Sequence, residues 1–292
     1  MYRRLGLPLA AAVAVTTISV PTADANAPIA PERTTKAALK IANVAHRGAS
    51  AAAPENTITA FKLARTKRAD LVEIDVRQTK DRKLVLMHDT TLARTTNVES
   101  VFPGRSPWRV SDFTLAEIRK LDAGLWFGSK YRRERVPTLD ETLRALNHSG
   151  LGLLLDIKAP DRHPGIEHRI VSDLRRNPSW LRPDPRERRL IVQSFDLSSA
   201  RRFNRLLPQV PVAAPGKPPA AELPALARWA DLVNPPHAEL TASYVANVHR
   251  HRMKVFTWTL DDPAKMRSTL KLGVDGIVTN KPDVLDRVLR ER

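Results

Sequence analysis

Leu71-Val-Glu-Ile-Asp-Val-Arg77 is the stretch that decides the fold and the chemistry of this chain. Its apolar residues are mostly β-branched, which is typical of a strand. Glu73 and Asp75 are two positions apart, so in a strand their side chains point to the same face. Two carboxylates this close repel each other, and burying them is costly unless a positive charge compensates. Either a divalent metal ion supplies that charge, or an edge strand shows both carboxylates to water.

The composition limits the classes of function. The chain has 292 residues, of which 42% are hydrophobic, enough for one large domain or two ordinary ones. The absence of cysteine excludes disulfides, a cysteine-based zinc site and a thiol nucleophile. The net charge of +17 favours anionic partners, but the basic residues are spread along the chain and only 5% of residues are aromatic. We therefore expect no nucleic-acid binding.

Residues 1–27 have the pattern of a secretory signal peptide. Arg3 and Arg4 form a charged start, Leu5 to Val20 are mostly apolar, and Ala25-Asn-Ala27 provides the cleavage site. We expect cleavage after Ala27 and a secreted, extracellular protein, with an uncleaved N-terminal anchor as the alternative. No later segment approaches the ~20 consecutive apolar residues of a membrane span, so we expect no transmembrane segment in the mature chain.

The remainder divides into a flexible lead-in over residues 28–40 and a folded domain over residues 41–292. Strand patterns alternate with helix patterns throughout this domain, which predicts a parallel sheet. Eight such units in about 250 residues predict an α/β fold, a closed (β/α)₈ TIM barrel. An insertion at about residues 90–137 follows the second strand region and is expected to cover the site. The chain has neither a G-x-G-x-x-G motif nor a P-loop, which weakens a nucleotide-binding alternative.

Polar residues cluster at or near the predicted C-terminal ends of the strands, and a barrel brings those ends to one face. Each one alone has a structural explanation: His46 as a core histidine, Asp156 as a partner of Lys158, Asp275 as a turn former. Their coincidence at one end of successive strands favours a functional site. The group consists of His46, Arg47, Glu73, Asp75, His88, Asp156, Lys158, Gln193, Ser194, Trp258 and Asp275.

The ordered motifs of the chain resemble those of one family, the glycerophosphodiester phosphodiesterases, and in particular its bacterial, exported members. This family belongs to the superfamily of phosphatidylinositol-phospholipase-C-like barrels. The resemblance spans nearly the whole mature chain, and the motifs are specific in combination although each is weak alone. They are His46-Arg-Gly48 with Pro54-Glu-Asn-Thr57, Glu73-Ile-Asp75, His88-Asp89, Leu121-Asp-Ala-Gly-Leu-Trp-Phe127, Val136-Pro-Thr-Leu-Asp140, Leu155-Asp-Ile-Lys158, Gln193-Ser-Phe195, Trp258-Thr259 and Asp275-Gly-Ile-Val-Thr-Asn280.

The resemblance implies a metal-dependent enzyme that hydrolyses small-molecule glycerophosphodiesters to sn-glycerol 3-phosphate and an alcohol. His46 and His88 match the general acid/base histidines of the family. Arg47 and Lys158 match the positions that contact the substrate phosphate. The resemblance also implies four supporting residues within the quoted motifs: Glu55, Asn56, Gln193 and Trp258.

The implied metal ligands are Glu73, Asp75 and Asp156, and oxygen ligands of this kind leave Ca²⁺ and Mg²⁺ both open. The family usually has glutamate where this chain has Asp156. The side chain is one methylene shorter, which moves the carboxylate by ~1.5 Å, so Asp156 binds the metal either directly or through a water. Related phospholipase D toxins have an aspartate here, which slightly favours a phospholipid substrate.

The chemistry fits the residues independently of the resemblance. A phosphodiester is anionic, and a metal ion with Arg47 and Lys158 would neutralise its oxygens. One histidine would deprotonate the nucleophile and the other would protonate the leaving alkoxide. The nucleophile is either water or the neighbouring glycerol hydroxyl, which would first give a cyclic phosphate.

Two alternatives remain open. The first is a lysophospholipase D or sphingomyelinase D-like activity on lipid substrates such as a lysophospholipid. It needs an apolar approach, which Leu125, Trp126 and Phe127 could provide, although we expect these residues to pack the insertion onto the barrel. The second is a non-catalytic module that binds glycerophosphodiesters or a teichoic-acid-like polymer. The two histidines argue against it, since binding alone needs no proton-transfer pair.

Overall fold

The computed structural model describes residues 41–183 and 189–291. The expected signal peptide and lead-in lie outside this part of the chain. The described residues form nine strands: β1 Ala42–Ala45, β2 Leu71–Gln78, β3 Leu84–Leu86, β4 Gly152–Ile157, β5 Leu190–Gln193, β6 Val212–Pro215, β7 Leu232–Asn234, β8 Lys254–Thr257 and β9 Gly276–Thr279.

Most of the helices connect consecutive strands of the barrel. None of the helices in the described ranges is long and apolar enough to cross a membrane. They are α1 Ile58–Thr66, α2 Val98–Val101, α3 Leu115–Ile118, α4 Leu139–Leu146, α5 Ile166–Arg176, α6 Leu197–Leu206, α7 Leu223–Leu226, α8 Ala242–Arg250, α9 Pro263–Leu270 and α10 Pro282–Arg290.

The sheet closes on itself. Parallel pairing runs through β1, β2, β4, β5, β6, β7, β8 and β9 in that order, and β9 pairs with β1. Strand β3 lies outside this ring and pairs antiparallel with the end of β2, with Val76 opposite Leu86. These pairings confirm the predicted (β/α)₈ barrel and show a hairpin formed by β2 and β3.

The alternation of side chains along β2 places the two carboxylates inside the barrel. Leu71 belongs to the apolar cluster that fills the barrel interior, whereas Val72, Ile74 and Val76 pack with the surrounding helices. Glu73 and Asp75 share the face of Leu71, because residues two apart point the same way. The two are only 4% and 1% exposed, and β2 is paired on both sides, so the edge-strand alternative is wrong.

Side-chain caps fix where two of the barrel helices begin. The Thr57 side chain accepts a hydrogen bond from the Ala60 N–H at the start of α1. Thr138 and Glu141 form a reciprocal capping box at the start of α4. Each cap fixes the junction between a helix and the loop before it. Thr57 ends the β1–α1 loop, residues 46–57, which carries several of the predicted site residues.

The predicted insertion, about residues 90–137, has its own small apolar core around Phe113, Ile118 and Leu121, packed against Val85 of β3. No residue of the insertion lines the pocket described below. The expectation that this segment covers the site is therefore wrong for the pocket itself. The segment packs beside the barrel because its apolar residues face the β2–β3 hairpin.

Two other sequence expectations are corrected by the structure. Asp275 precedes β9 and lies at the opposite end of the barrel, where its carboxylate accepts from the Val255 N–H and pairs with His249. The residue at the mouth end of this strand is Asn280, five positions later. Ser194 is fully buried and donates to the Ile157 carbonyl, so it supports the barrel wall and does not face the pocket.

Gly48 provides a test of how tightly the β1–α1 loop is held. It adopts φ +85°, and a Cβ there would lie 2.8 Å from the Ala60 backbone. Gly150 has a similar φ of +82° with nothing within 4 Å of a Cβ, which makes it a matched control. We expect Gly150→Ala to lower the free energy of unfolding by about 1–2 kcal/mol for its backbone conformation. Gly48→Ala should cost a further ~1–3 kcal/mol for the backbone clash. Equal losses in urea unfolding would contradict the close packing of this loop.

Candidate active site

Most of the predicted site residues line one pocket at the mouth of the barrel, inside the C-terminal ends of the strands. Its volume is about 150 Å³, below the roughly 300 Å³ at which pockets for drug-sized ligands begin, so it suits a small molecule. The predicted residues on its wall are His46, Arg47, Glu73, Asp75, His88, Asp156, Lys158, Gln193 and Trp258. Leu154, Phe195, Asn234, Thr259 and Val278 complete the lining.

Strand register brings three carboxylates together on the pocket floor. Asp75 of β2 lies directly beside Asp156 of β4, and Glu73 lies beside Leu154 in the layer below. Oxygen atoms of Glu73, Asp75 and Asp156 all lie within 4.8 Å of one another. All three side chains are buried. This is the cluster that the sequence predicted, and Asp156 reaches it despite its shorter side chain.

Two cations stand against these carboxylates. Lys158 Nζ is 3.2 Å from Asp75 Oδ1 and 3.0 Å from Asp156 Oδ2. Arg47 Nε is 3.3 Å from Asp75 Oδ2, and the Arg47 N–H donates to Glu73 Oε2 over 2.9 Å. Arg47 adopts φ 55°, an uncommon conformation for a residue other than glycine, which is often found at functional sites. The loop thus presents both the backbone and the side chain of Arg47 to the carboxylates.

Burial and nearby charges shift the pKa values of the three acids in different directions. Burial, with the Asp75 charge next in effect, raises the pKa of Glu73 well above its ordinary value. Burial likewise raises the pKa of Asp156. Burial acts on Asp75 in the same direction, but Lys158 and Arg47 outweigh it, so the pKa of Asp75 is lowered. The raised pKa values of Glu73 and Asp156 reflect the cost of ionising all three acids beside only two cations.

The residues present fit a divalent cation. With all three acids ionised, the three carboxylates and two cations leave one uncompensated negative charge in a buried volume, which is costly. Asp156 Oδ1 is buried and has no hydrogen-bond partner among the described residues. Carboxylate oxygens are the ligands that Ca²⁺ and Mg²⁺ prefer. A cation between Glu73, Asp75 and Asp156 would satisfy both the orphaned oxygen and the excess charge.

The hydrogen bonds of His46 fix its tautomer. Its Nδ1–H donates to Asn280 Oδ1 over 2.7 Å, which leaves Nε2 as an acceptor. Asn280 cannot turn, because its Nδ2 donates to Asp261 Oδ2 over 2.6 Å and its backbone N–H donates to the same carboxylate. Burial, with Arg47 next in effect, lowers the pKa of His46. His46 is therefore a neutral imidazole near pH 7, with a lone pair on Nε2.

His88 has a different partner, a carboxylate. Its Nδ1–H donates to Asp89 Oδ1 over 2.8 Å, a bond that fixes the orientation of the ring. Arg94 donates from Nε to Asp89 Oδ2 over 2.6 Å. Burial opposes ionisation of Asp89, but hydrogen bonds from Arg94 and His88 lower the pKa of Asp89 to about 2. The two histidines therefore stand in unlike surroundings, one against an amide and one against a carboxylate.

Glu55 and Asn56 do not line the pocket but hold residues that do. Glu55 accepts from Arg47 Nη1 over 2.9 Å and from both terminal nitrogens of Arg94. Asn56 donates from Nδ2 to Asp75 Oδ2 over 2.7 Å and accepts from the Asp75 N–H. Glu55 and Asn56 therefore contact Arg47 and Asp75 without lining the pocket themselves.

The far wall of the pocket combines amide and aromatic side chains. Asn234 donates to Gln193 Oε1 over 2.6 Å, and Trp258 donates from Nε1 to the Asn234 carbonyl over 2.6 Å. Phe195 packs edge-on against Trp258 with ring centroids 6.0 Å apart, yet is 58% exposed. This wall therefore offers both a hydrogen-bonding edge and an exposed apolar surface.

Sequence reasoning assigned no role to Asn280, Asp261 or Arg94. Asn280 stands in one of the quoted motifs, at the mouth end of a strand, so strand position could have singled it out. Asp261 acts only through Asn280, and Arg94 acts only through Asp89 and Glu55. Neither Asp261 nor Arg94 has a sequence signal of its own, because the contacts that define them join distant parts of the chain.

Comparison with known proteins gives a consistent result. Residues 46–284 match the glycerophosphoryl diester phosphodiesterase family. A glycerophosphodiester phosphodiesterase of Caldanaerobacter subterraneus is 35% identical over 256 residues, covering 87% of this chain and 99% of that protein. A glycerophosphodiester phosphodiesterase of Bacillus subtilis is 34% identical, covering 85% of this chain and 86% of that protein.

The fold also matches solved structures. A phosphodiesterase of Oleispira antarctica, in complex with the product sn-glycerol 3-phosphate, superposes with a TM-score of 0.75 at 26% identity. The match covers 85% of this chain and 96% of the Oleispira chain. A glycerophosphodiester phosphodiesterase of Agrobacterium tumefaciens gives a TM-score of 0.69, also at 26% identity.

The raised pKa of Glu73 predicts how stability depends on pH when metal is chelated. A carboxyl group whose folded pKa is raised contributes stability below its ordinary value of 4.5 and loses it as pH rises through the folded value. Glu73→Gln removes this loss and keeps the shape of the side chain. In EDTA, we expect the free energy of unfolding of the wild type to fall more steeply above pH 4.5 than that of Glu73→Gln. Two results would contradict the cost of ionising Glu73 in the buried cluster. One is the same pH dependence of the free energy of unfolding in the wild type and Glu73→Gln, and the other is the same flattening in the exposed control Glu99→Gln.

Proposed function

We propose a metal-assisted, two-histidine mechanism for this chain. The chain belongs to the glycerophosphoryl diester phosphodiesterase family and is a glycerophosphodiester phosphodiesterase. In this proposal, the enzyme hydrolyses glycerophosphodiesters to sn-glycerol 3-phosphate and an alcohol. The observation that carries it is one pocket that joins three buried carboxylates, two cations and two histidines. A site for binding alone would need the charges but not a pair of proton-transfer groups.

Glu73, Asp75 and Asp156 would hold one divalent cation, Ca²⁺ or Mg²⁺. Their oxygens are close together, and Asp156 Oδ1 has no partner in the described chain. When bound, such a cation polarises phosphate oxygens and offsets the charge that develops on them. It would also keep Glu73 ionised, because a nearby positive charge favours the charged form of a carboxyl group.

Arg47 and Lys158 would bind the phosphate oxygens. Lys158 is 15% exposed and Arg47 is 16% exposed, and both line the pocket beside the carboxylates. With the cation in place, the cluster of three carboxylates, two side-chain cations and one divalent ion carries a net charge of about +1. A phosphodiester carries one negative charge, so the substrate would neutralise the charge of this cluster.

His46 would act as the general base and His88 as the general acid. His46 is held neutral with Nε2 free, which is the form that accepts a proton from the nucleophile. His88 donates from Nδ1 to Asp89, which orients the ring, and its Nε2 would give a proton to the leaving alkoxide. Two nucleophiles fit this arrangement: water, or the adjacent glycerol hydroxyl, which forms a cyclic phosphate that water then opens.

A lysophospholipase D-type activity is the second candidate, and one observation favours it. Phe195 lines the pocket and is 58% exposed, so an apolar part of a lipid substrate could lie against it. The pocket itself is small, which favours a compact substrate. A teichoic-acid-like polymer or a non-catalytic binding role has weaker support, because the two oriented histidines would serve no purpose in it.

Secretion is also part of the proposal. It rests on the sequence of residues 1–27 alone: the charged start, the apolar stretch and the small residues before the cleavage site. The enzyme would then meet its substrates outside the cell. Detection of the protein in the medium with Pro28 as its first residue would test this point.

The first test is release of sn-glycerol 3-phosphate from glycerophosphocholine and glycerophosphoethanolamine. We expect release by the purified protein, loss of release in EDTA, and recovery when Ca²⁺ or Mg²⁺ is restored. Glu73→Ala and Asp75→Ala should shift the metal dose–response to much higher concentrations, because each removes one ligand. Release of sn-glycerol 3-phosphate that is unaffected by EDTA would contradict the proposed metal dependence. Turnover of lysophosphatidylcholine in place of both small diesters would transfer support to the lipid candidate.

The histidine roles have their own test. His46→Ala and His88→Ala should each lower kcat by about 10²–10⁴-fold, since each removes a proton-transfer group. Metal binding measured by calorimetry should persist in both variants, because neither histidine belongs to the carboxylate cluster. His168→Ala, at an exposed position on α5, is the matched control and should leave kcat unchanged. Turnover like that of the wild type in either pocket variant would refute that assignment.

A further inference from the structure

An exposed basic and aromatic segment stands beside the barrel mouth. We call residues 125–135 the basic aromatic ridge. At its start, Leu125 is 41% exposed and Trp126 is 40% exposed, contrary to the expectation that both pack onto the barrel. Large apolar side chains that are exposed next to each other often mark an interaction surface. Neither residue lines the catalytic pocket.

The aromatic side chains of the ridge are held in place. Trp126 donates from Nε1 to the Ala123 carbonyl over 2.8 Å, which fixes the ring although its face is exposed. Trp126 packs edge-on against Phe127, and Phe127 against Tyr131, each with ring centroids 5.5 Å apart. The exposed apolar surface is therefore pre-organised, and ordering it at a partner surface would cost little entropy.

The ridge is attached to the loop that carries Arg47. Tyr131 Oη donates to the Ala52 carbonyl over 2.5 Å, and the Thr59 hydroxyl donates to Glu134. Gly124 lies directly before the ridge, and its backbone packs closely against the backbone of Tyr131. A Cβ at Gly124 would lie 2.0 Å from the Tyr131 carbonyl oxygen. These contacts place the ridge on the mouth side of the barrel, next to the β1–α1 loop.

Four cations follow the apolar residues along the ridge. Lys130, Arg132, Arg133 and Arg135 are all exposed, and none forms a salt bridge with another described residue. Lys130 Nζ lies 4.8 Å from the Tyr131 ring centre. Two carboxylates offset part of this charge: Asp122, which accepts from the Arg133 backbone N–H, and Glu134, which accepts from Thr59. Residues 125–135 hold four basic residues and one acidic residue, so the ridge presents a net positive charge beside an exposed apolar surface.

We propose that the basic aromatic ridge docks the enzyme on an anionic lipid bilayer with the barrel mouth beside the membrane surface. Lysine and arginine are attracted by anionic headgroups, and tryptophan and leucine partition into the interface between headgroups and acyl chains. A soluble polyanion would engage the cations but would give Leu125 and Trp126 no apolar phase. The combination therefore favours a bilayer over a polymer. This docking does not depend on the catalytic mechanism.

The test is co-sedimentation of the mature protein, lacking residues 1–27, with lipid vesicles. The apolar stretch 5–20 would itself bind lipid, and residues 39–292 form one compact unit without it. Vesicles of equal parts phosphatidylglycerol and phosphatidylcholine are compared with vesicles of phosphatidylcholine alone. One variant removes the apolar part, Leu125→Ser with Trp126→Ser. A second removes the charge by glutamine substitution of Lys130, Arg132, Arg133 and Arg135.

A matched control removes the same charge from the opposite end of the barrel. Its glutamine substitutions are at Arg175, Arg205, Arg250 and Lys271, at the ends of α5, α6, α8 and α9, where exposed basic residues face away from the mouth. We expect binding to the anionic vesicles only, at least about tenfold weaker in each ridge variant and nearly unchanged in the control. Turnover of a soluble diester should be unchanged in all variants.

Several results would overturn the proposal. Equal losses in the charge variant and the control would mean that overall charge attracts the protein without a docking surface. Unchanged vesicle binding in the Leu125 and Trp126 variant would show that these apolar residues do not contribute to docking. Retention on inorganic polyphosphate without vesicle binding would assign the ridge to a polymer. Because turnover is measured on a soluble substrate, none of these outcomes is confused with failure of the proposed catalytic mechanism.

Discussion

The structure depends on one electrostatic constraint, the burial of three carboxylates inside a closed barrel. Because side chains alternate along β2, Glu73 and Asp75 point into the barrel, and the outward positions are occupied by residues that pack under the helices. Lys158 and Arg47 reduce the cost of that burial but do not remove it. The strained backbone of Arg47 and its loop contacts follow from the same need, because they deliver positive charge to the floor of the pocket.

One polar network extends this constraint to the histidine that would act as the acid. Arg94 bridges Glu55, which holds Arg47, and Asp89, which holds His88. The orientation of His88 is thereby tied to the guanidinium expected to contact the substrate. His46 belongs to a separate network through Asn280 and Asp261.

The sequence predicted the features whose signals are local. The period of two in β2 placed the carboxylates together, and motifs at strand ends located both histidines, Arg47 and Lys158. It failed where position depends on contacts between distant segments. Asp275 was placed at the wrong end because the strand begins after it, and a pattern of apolar residues does not fix that boundary. The insertion was expected to cover the pocket, but an apolar pattern does not reveal which neighbouring surface it will bury.

The charge of the site also bears on product release. In the proposed loaded state, the cluster carries about one net positive charge, which a phosphodiester monoanion neutralises. Hydrolysis yields a phosphate monoester, whose second pKa of about 6 makes it nearly a dianion at neutral pH. The product therefore carries one more negative charge than the substrate. Once His46 has lost the proton that it took from the nucleophile, this charge is uncompensated in a pocket whose walls are buried, and it favours departure of the product.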